Sequence, residues 1–298
     1  MLKKYLFIIL CLSLLAFTVG CTEEQKTEPQ NQQSSQAASV MEDFQALTQK
    51  EPNIEAIAKF MGDNISQVTK ENATEMVLQL EKVQQKQLPQ FEELFIQEGL
   101  EEKMAKEYKT IIENPEGITD AEVKDLISKT QKSGYRVETA EGMFFPIIDY
   151  AFYEKYLSYV TEDIREYLEI MAVESAKVPA KDAALVIGWD EVIKRAVQQE
   201  KFMDQYPTSV KVEEVKELYK RYLTFTLYGL NNTPLFSYEN NIIDSDAKAA
   251  YLQATQDIGN SKYLQTVAEY LEVINKNDDS LSPEVKQYRD EVNNAVAN

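Results

Sequence analysis

The chain has 298 residues, 50 of them acidic and 31 basic, for a formal charge of -19, and it contains no histidine. That charge disfavours binding to nucleic acid or to anionic lipid headgroups. The missing imidazole removes the Ser-His-Asp and Cys-His arrangements, the usual zinc sites and the commonest general base. Any chemistry must come from carboxylates, Tyr, Lys, Ser and Thr.

The N-terminus is read first. Lys3 and Lys4 form a positive n-region ahead of an apolar run from Leu6 to Phe17 that is broken only by Ser13. Even counted from Tyr5 to Val19 the run is shorter than the ~20 residues a spanning helix needs, so it reads as a signal-peptide core. Thr18-Val19-Gly20-Cys21 then resembles the lipobox of bacterial lipoproteins, with Gly20 and Cys21 matching and Thr18 standing where Leu is usual. The resemblance implies cleavage before Cys21, a diacylglyceryl thioether on its sulfur, and attachment to the extracytoplasmic face of the cell membrane. Two acyl chains give stable anchoring where one is marginal. Cleavage would remove Lys3 and Lys4 and take the charge from -19 to -21. The other cysteine, Cys11, lies in the removed segment, so the mature chain is expected to hold neither a disulfide nor a free thiol.

Residues 1–20 are thus assigned to the signal peptide and 21–39 to the lipidated cysteine and a tether. Thr22 to Ser39 has no aromatic and no aliphatic residue larger than alanine, which predicts a disordered spacer. From Val40 to Asn298 one domain is expected. Few glycines and prolines (nine of each) beside many Glu, Gln, Lys and Ala predict long helices.

Apolar spacing predicts helices around Val40, Phe44 and Leu47, and around Ile54, Ile57, Ala58 and Met61, the latter capped by Asn53. A long helix follows from Met76 to Phe95, which Pro89 is expected to kink or divide. Leu100 to Ile112 continues in helical register. Thr119 to Glu122 reads as a capping box, and Ser133-Gly134 as a helix end. Between Gly134 and Tyr150 the period changes to two, with Ala140-Glu141-Gly142 as the turn, which predicts a β-hairpin near residues 134–148. Helices resume at Ile164. Pro179 is placed at the start of a helix through Ala183 to Ile187, and further helices are expected at Trp189 to Ala196, Val212 to Leu223, Ser245 to Ala254, Tyr263 to Ile274 and from Ser282-Pro283. Residues 229–241 read as a long loop. The fold class is therefore mostly α, an irregular multi-helix domain with one short hairpin.

The hairpin region is the best candidate for a ligand site. Glu138, Glu141 and Asp149 sit among Tyr135, Phe144, Phe145 and Tyr150, a mixture that sugar- and peptide-binding clefts use. Paired carboxylates also admit glycoside hydrolysis at a suitable separation, and a structural connector is the plainer alternative. The pattern Gly-Tyr…Glu-Gly…Pro-x-Ile-Asp-Tyr, with the later VPAKDAALVIGWDEVI, resembles a group of uncharacterised lipoproteins of Gram-positive bacteria; it implies the same location and brings no activity. Asn275 to Ser280 departs from a calcium loop at its sixth and twelfth positions, Ser280 and Lys286, and reads as a polar turn. Trp189 reads as core. Asn231-Asn232 and Asn240-Asn241 are turn formers that would touch a ligand if a cleft lay beside them.

The expectation is a lipid-anchored envelope protein with a non-catalytic binding or interaction role, no cofactor and no bound metal. Its partners would be the membrane, through Cys21, and an envelope protein or the cell wall. The alternatives are a carboxylate-dependent cell-wall glycan hydrolase and a receptor for a small ligand or cation.

Overall fold

The computed structural model describes residues 29–49 and 52–297; Cys21, the signal segment and residues 22–28 lie outside them. Among the described residues the chain is mostly α-helical, and no helix is long and apolar enough to cross a membrane.

Helix α1 (Pro29–Gln49) begins well before Val40, so residues 29–39, expected in the spacer, are helical. The reason is Ala37, which lands on the same face as Val40, Met41 and Phe44 and is buried with them. Helix α2 (Ile54–Asn64) starts where predicted, Asn53 Oδ1 accepting from the Ala56 N–H at 2.8 Å. Helix α3 (Lys70–Phe95) runs through Pro89 without division. Leu100 to Ile112 is not one helix: α4 (Leu100–Lys106) and α5 (Tyr108–Glu113) are separated at Glu107.

Glu107 has a second role. Its Oε1 accepts from the Thr119 hydroxyl (2.5 Å), the Thr119 N–H (2.9 Å) and the Asp120 N–H (3.1 Å). Thr119 is therefore taken, and the N-cap of α6 (Ala121–Lys132) is Asp120 rather than Thr119, accepting from Glu122 and Val123 N–H. The Thr119 hydroxyl, then the two N–H groups, hold the Glu107 carboxyl below its ordinary 4.5. A depressed acid stabilises the fold above its unfolded-state value and loses that contribution as pH falls through its folded-state value. Acidification below pH 4.5 is thus expected to loosen the α5–α6 junction, read as falling hydrogen-exchange protection at Thr119 and Asp120. Constant protection factors across that range would contradict it.

The predicted hairpin is present: β1 (Tyr135–Ala140) pairs antiparallel with β2 (Met143–Ile148), Glu138 opposite Phe145, around Glu141 and Gly142 at positive φ. A 3-10 helix, Tyr150–Tyr156, leads into α7 (Glu162–Ala176). The segment after Pro179 is not helical. It is a tight hairpin of β3 (Ala180–Lys181) and β4 (Ala184–Leu185), turned by Asp182 and Ala183 at φ 50° and 56°. Helices α8 (Trp189–Gln205) and α9 (Val212–Tyr228) follow. The expected loop contains a third hairpin, β5 (Gly229–Leu230) and β6 (Thr233–Pro234). Helix α10 (Ser245–Ala254) is capped by Asp244 instead of Ser245. Helices α11 (Lys262–Lys276) and α12 (Pro283–Ala297) complete the chain, the latter with Ser282 Oγ accepting from Val285 N–H.

Three apolar clusters result. The first joins α1, α2, α3, the 3-10 helix and α7; the second joins α8 to α12; the third joins the end of α3, α4 to α6 and the β1–β2 hairpin. Helices α8 and α9 feed two of them, Phe202 and Val215 entering the first cluster while Ala196 and Leu223 enter the second. Trp189 is core, edge-on to Tyr251 at 6.2 Å.

Candidate functional site

The tyrosines that the sequence offered as ligand platforms are largely interior. Tyr135 is 1% exposed, packs on Phe91 with ring centroids 4.5 Å apart, and donates its hydroxyl to the Gln84 carbonyl at 2.7 Å. Tyr150 is buried and donates to Glu81 Oε1 at 2.7 Å. The same pattern recurs at Tyr156, Tyr251 and Tyr270, whose hydroxyls end on the carbonyls of Ala58, Thr226 and Leu227. Burial raises the pKa of each of these phenols, so all donate as neutral groups, which is how a buried tyrosine satisfies its polar end.

The carboxylates are placed separately. Glu138 projects from the other face of β1, accepts from the Thr139 N–H at 2.7 Å and pairs with Lys181. Glu141 is exposed at the turn, at φ 50°. Asp149 caps the 3-10 helix by accepting from Ala151 N–H at 3.2 Å. Alternation along a strand sends Tyr135 and Glu138 to opposite faces, so the five residues do not meet in one cleft.

What the hairpin does build is a groove of about 350 Å³ against the C-terminal end of α3. Phe95 and Phe144, both buried, form its floor, with Phe145 beside them. Ile96 and Met143 stand at its edge, 80% and 55% exposed. Glu92, Glu98 and Glu101 line it too, all exposed, and no basic residue does. The apolar surface continues past Phe144 to Tyr108, half exposed and edge-on to it at 6.0 Å. Gly99 at φ +78° permits the turn that carries Glu98 and starts α4. Removing apolar side chains of this kind from water is favourable.

The groove's position follows from α3, which is about 39 Å long at 1.5 Å per residue. Gln36 of α1 donates to Gln67 at 2.7 Å, just ahead of α3, while Thr48 of α1 shares a cleft with Lys82 and Lys86. Helix α1 therefore enters alongside the N-terminal end of α3, and the groove is at the opposite end.

Two buried charge networks lie deeper. Glu81, 2% exposed, accepts from Tyr150 and Tyr167 (2.5 Å) and pairs with Lys211 at 2.8 Å; Lys211 also reaches Glu214 at 2.7 Å and lies 4.6 Å from the Tyr167 ring centroid. Glu174, whose carboxyl burial pushes up, accepts from Tyr222 at 2.7 Å and faces Arg195 at 3.6 Å. Apart from half-exposed Glu214 the members of both networks are buried or nearly so, and they fasten helices to one another. Asp279, from the segment tested against a calcium loop, is paired with Lys248 at 2.5 Å, and among the described residues no group of three or more His, Cys, Asp or Glu is arranged to hold a metal ion. The sequence missed the groove because Ile96 belongs to no predicted apolar stripe. Comparison with known protein families, with curated proteins and with solved structures finds no match for this chain.

Proposed function

We propose that the protein is held at the extracytoplasmic face of the cell membrane by lipid on Cys21 and acts there as a non-catalytic docking protein. The groove between α3 and β2 is the observation that carries this reading. Its partner would present an apolar side chain or short segment flanked by Lys or Arg, because an apolar floor among three glutamates favours that combination over an acidic or uncharged one. The entry of α1 at the far end of α3 supports the same reading, since a chain anchored upstream of Pro29 would carry the groove away from the membrane.

The experiment has two arms. Cys21→Ala is expected to abolish labelling by a palmitate analogue and release the protein from membranes; unchanged labelling and retention would end the anchoring half. For docking, a synthetic peptide alternating Leu and Lys is titrated against the full chain in detergent. The combined Ile96→Glu and Met143→Glu substitutions are expected to weaken binding about tenfold, ~1.4 kcal/mol, and raised salt to weaken it further. Equal binding of a Leu-Glu peptide, or no effect of the two substitutions, would remove the groove from the proposal.

A further inference from the structure

A second cleft, also about 350 Å³, lies between the β5–β6 hairpin, the loop that follows it and α12. It is lined by Asn231, Asn241, Ser237, Tyr238 and Arg289 over a floor that includes buried Phe236. Although the chain has fifty Asp and Glu, none lines this cleft. Arg289 lies over the Tyr228 ring, 4.5 Å from its centroid, and beside Tyr270. Its Nε is buried without a hydrogen-bond partner, while the guanidinium is hydrogen-bonded to Tyr270. The adjacent Asp290 is instead engaged by the Tyr228 hydroxyl at 2.7 Å. A guanidinium held over an aromatic ring at the wall of a cleft that no carboxylate lines is suited to an oxyanion.

The other lining groups complement that charge. The loop is held by backbone: Asn231 O accepts the Tyr238 hydroxyl at 3.2 Å, Asn241 N–H donates to Ser237 O at 2.9 Å, and Asn241 O accepts from Leu281 N–H at 2.8 Å. These bonds use no side-chain amide, so Asn231 and Asn241, both exposed, offer two amides to the cleft beside the Ser237 hydroxyl, whose oxygen accepts from the Glu239 N–H at 3.2 Å and whose proton remains to donate. Tyr238 is 73% exposed with its hydroxyl tethered, which fixes a ring face at the rim. We infer that this cleft binds a small ligand carrying one carboxylate on a sugar-sized polyhydroxyl body. The carboxylate meets Arg289, the hydroxyls meet the amides and Ser237, and the ring lies on Tyr238. A single cation, with no second one lining the cleft, matches a monoanion better than a phosphate dianion. The volume is near the lower end for ligand pockets, which suits one ring. This site is independent of the groove and of the anchor.

The test is calorimetric titration of the full chain in detergent with D-glucuronate, using D-glucose and inorganic phosphate as separate titrants. Glucuronate is expected to bind at least tenfold more tightly than either. Arg289→Met should weaken it by at least that factor, Arg289→Lys by less, and Tyr238→Leu and Asn231→Ala by a few-fold each. The last two positions are exposed, so they carry the test if Arg289→Met fails to fold. Absence of heat at millimolar glucuronate, equal affinity for glucose, tighter binding of phosphate, or indifference to Tyr238→Leu and Asn231→Ala would each overturn the inference.

Discussion

Replacing Lys211 with Met is expected to destabilise the protein by about 3–5 kcal/mol, the usual penalty for leaving one buried charge unpaired. Lys211 and Glu81 are 7% and 2% exposed, and their 2.8 Å contact joins the start of α9 to the middle of α3. Without the ammonium, Glu81 keeps only the two hydroxyls of Tyr150 and Tyr167. Glu81→Leu should cost a similar amount by stranding the cation, although half-exposed Glu214 partly compensates Lys211. The double variant should recover much of the loss, because removing both charges also removes the desolvation penalty. Denaturant unfolding of the four proteins gives the coupling directly. Single variants that each cost under about 1 kcal/mol and simply add would show that the pair carries no such weight. Pairs of this kind fasten the first cluster to the helices of the second without enlarging either apolar core.

The legible parts of the fold were those decided locally. In α2, α9 and α11 the apolar stripe, the capping residue or both are written within one helix, and the structure follows them. The β1–β2 hairpin was legible for the same reason, through its period of two and its Glu141-Gly142 turn. The segment from Ala183 to Ile187 was not, since a short apolar run suits a helix or a strand equally. Its choice is made by distant partners: Asn232 N–H donates to Ala183 O at 2.8 Å, and Leu185 N–H to Thr233 Oγ1, 48 residues on, at 3.1 Å. Pro89 is a partial case. The lost N–H and the ring clash predict a kink or a division; α3 is not divided and continues to Phe95, whose side chain is buried in the third cluster.

The site was less legible than the fold. Counting acids and aromatics between Gly134 and Tyr150 singles out a segment whose two tyrosines the structure places inside. Tyr135 and Tyr150 need acceptors at Gln84 and Glu81, more than fifty residues earlier, and those are visible only once α3 is packed. Met143 and Phe144, from the same segment, become groove residues by meeting Ile96 and Phe95. Of the paired asparagines, Asn231 and Asn241 do lie beside a cleft, and that too became visible only once the β5–β6 hairpin was packed against α12.

Gly229→Ala is expected to destabilise the protein by about 3 kcal/mol or more. Gly229 ends α9 at φ 71° and ψ -151°, a region that only glycine occupies readily and that costs about 1–3 kcal/mol for other residues. The added Cβ would also stand 2.4 Å from Thr233 O, 2.5 Å from Leu235 N and 2.9 Å from Pro234 C. All three are backbone atoms of the β5–β6 hairpin, so no side-chain rotation relieves the contact. Relief requires parting Gly229 from Pro234, its partner across the hairpin, and disturbing the Leu235 N–H bond to Tyr228 O at 3.0 Å. Gly142→Ala is the internal control. It too has positive φ, at 79°, but its Cβ meets nothing within 4 Å, so only the backbone preference is lost, about 1–2 kcal/mol. Thermal unfolding of the two variants separates strain from clash. Because Gly229 and Pro234 also line the Arg289 cleft, Gly229→Ala should lose glucuronate binding in whatever fraction stays folded, while Gly142→Ala leaves it intact. A Gly229 variant no less stable than the Gly142 variant would show that the hairpin yields to a methyl group, and the cleft could not then be treated as a fixed frame.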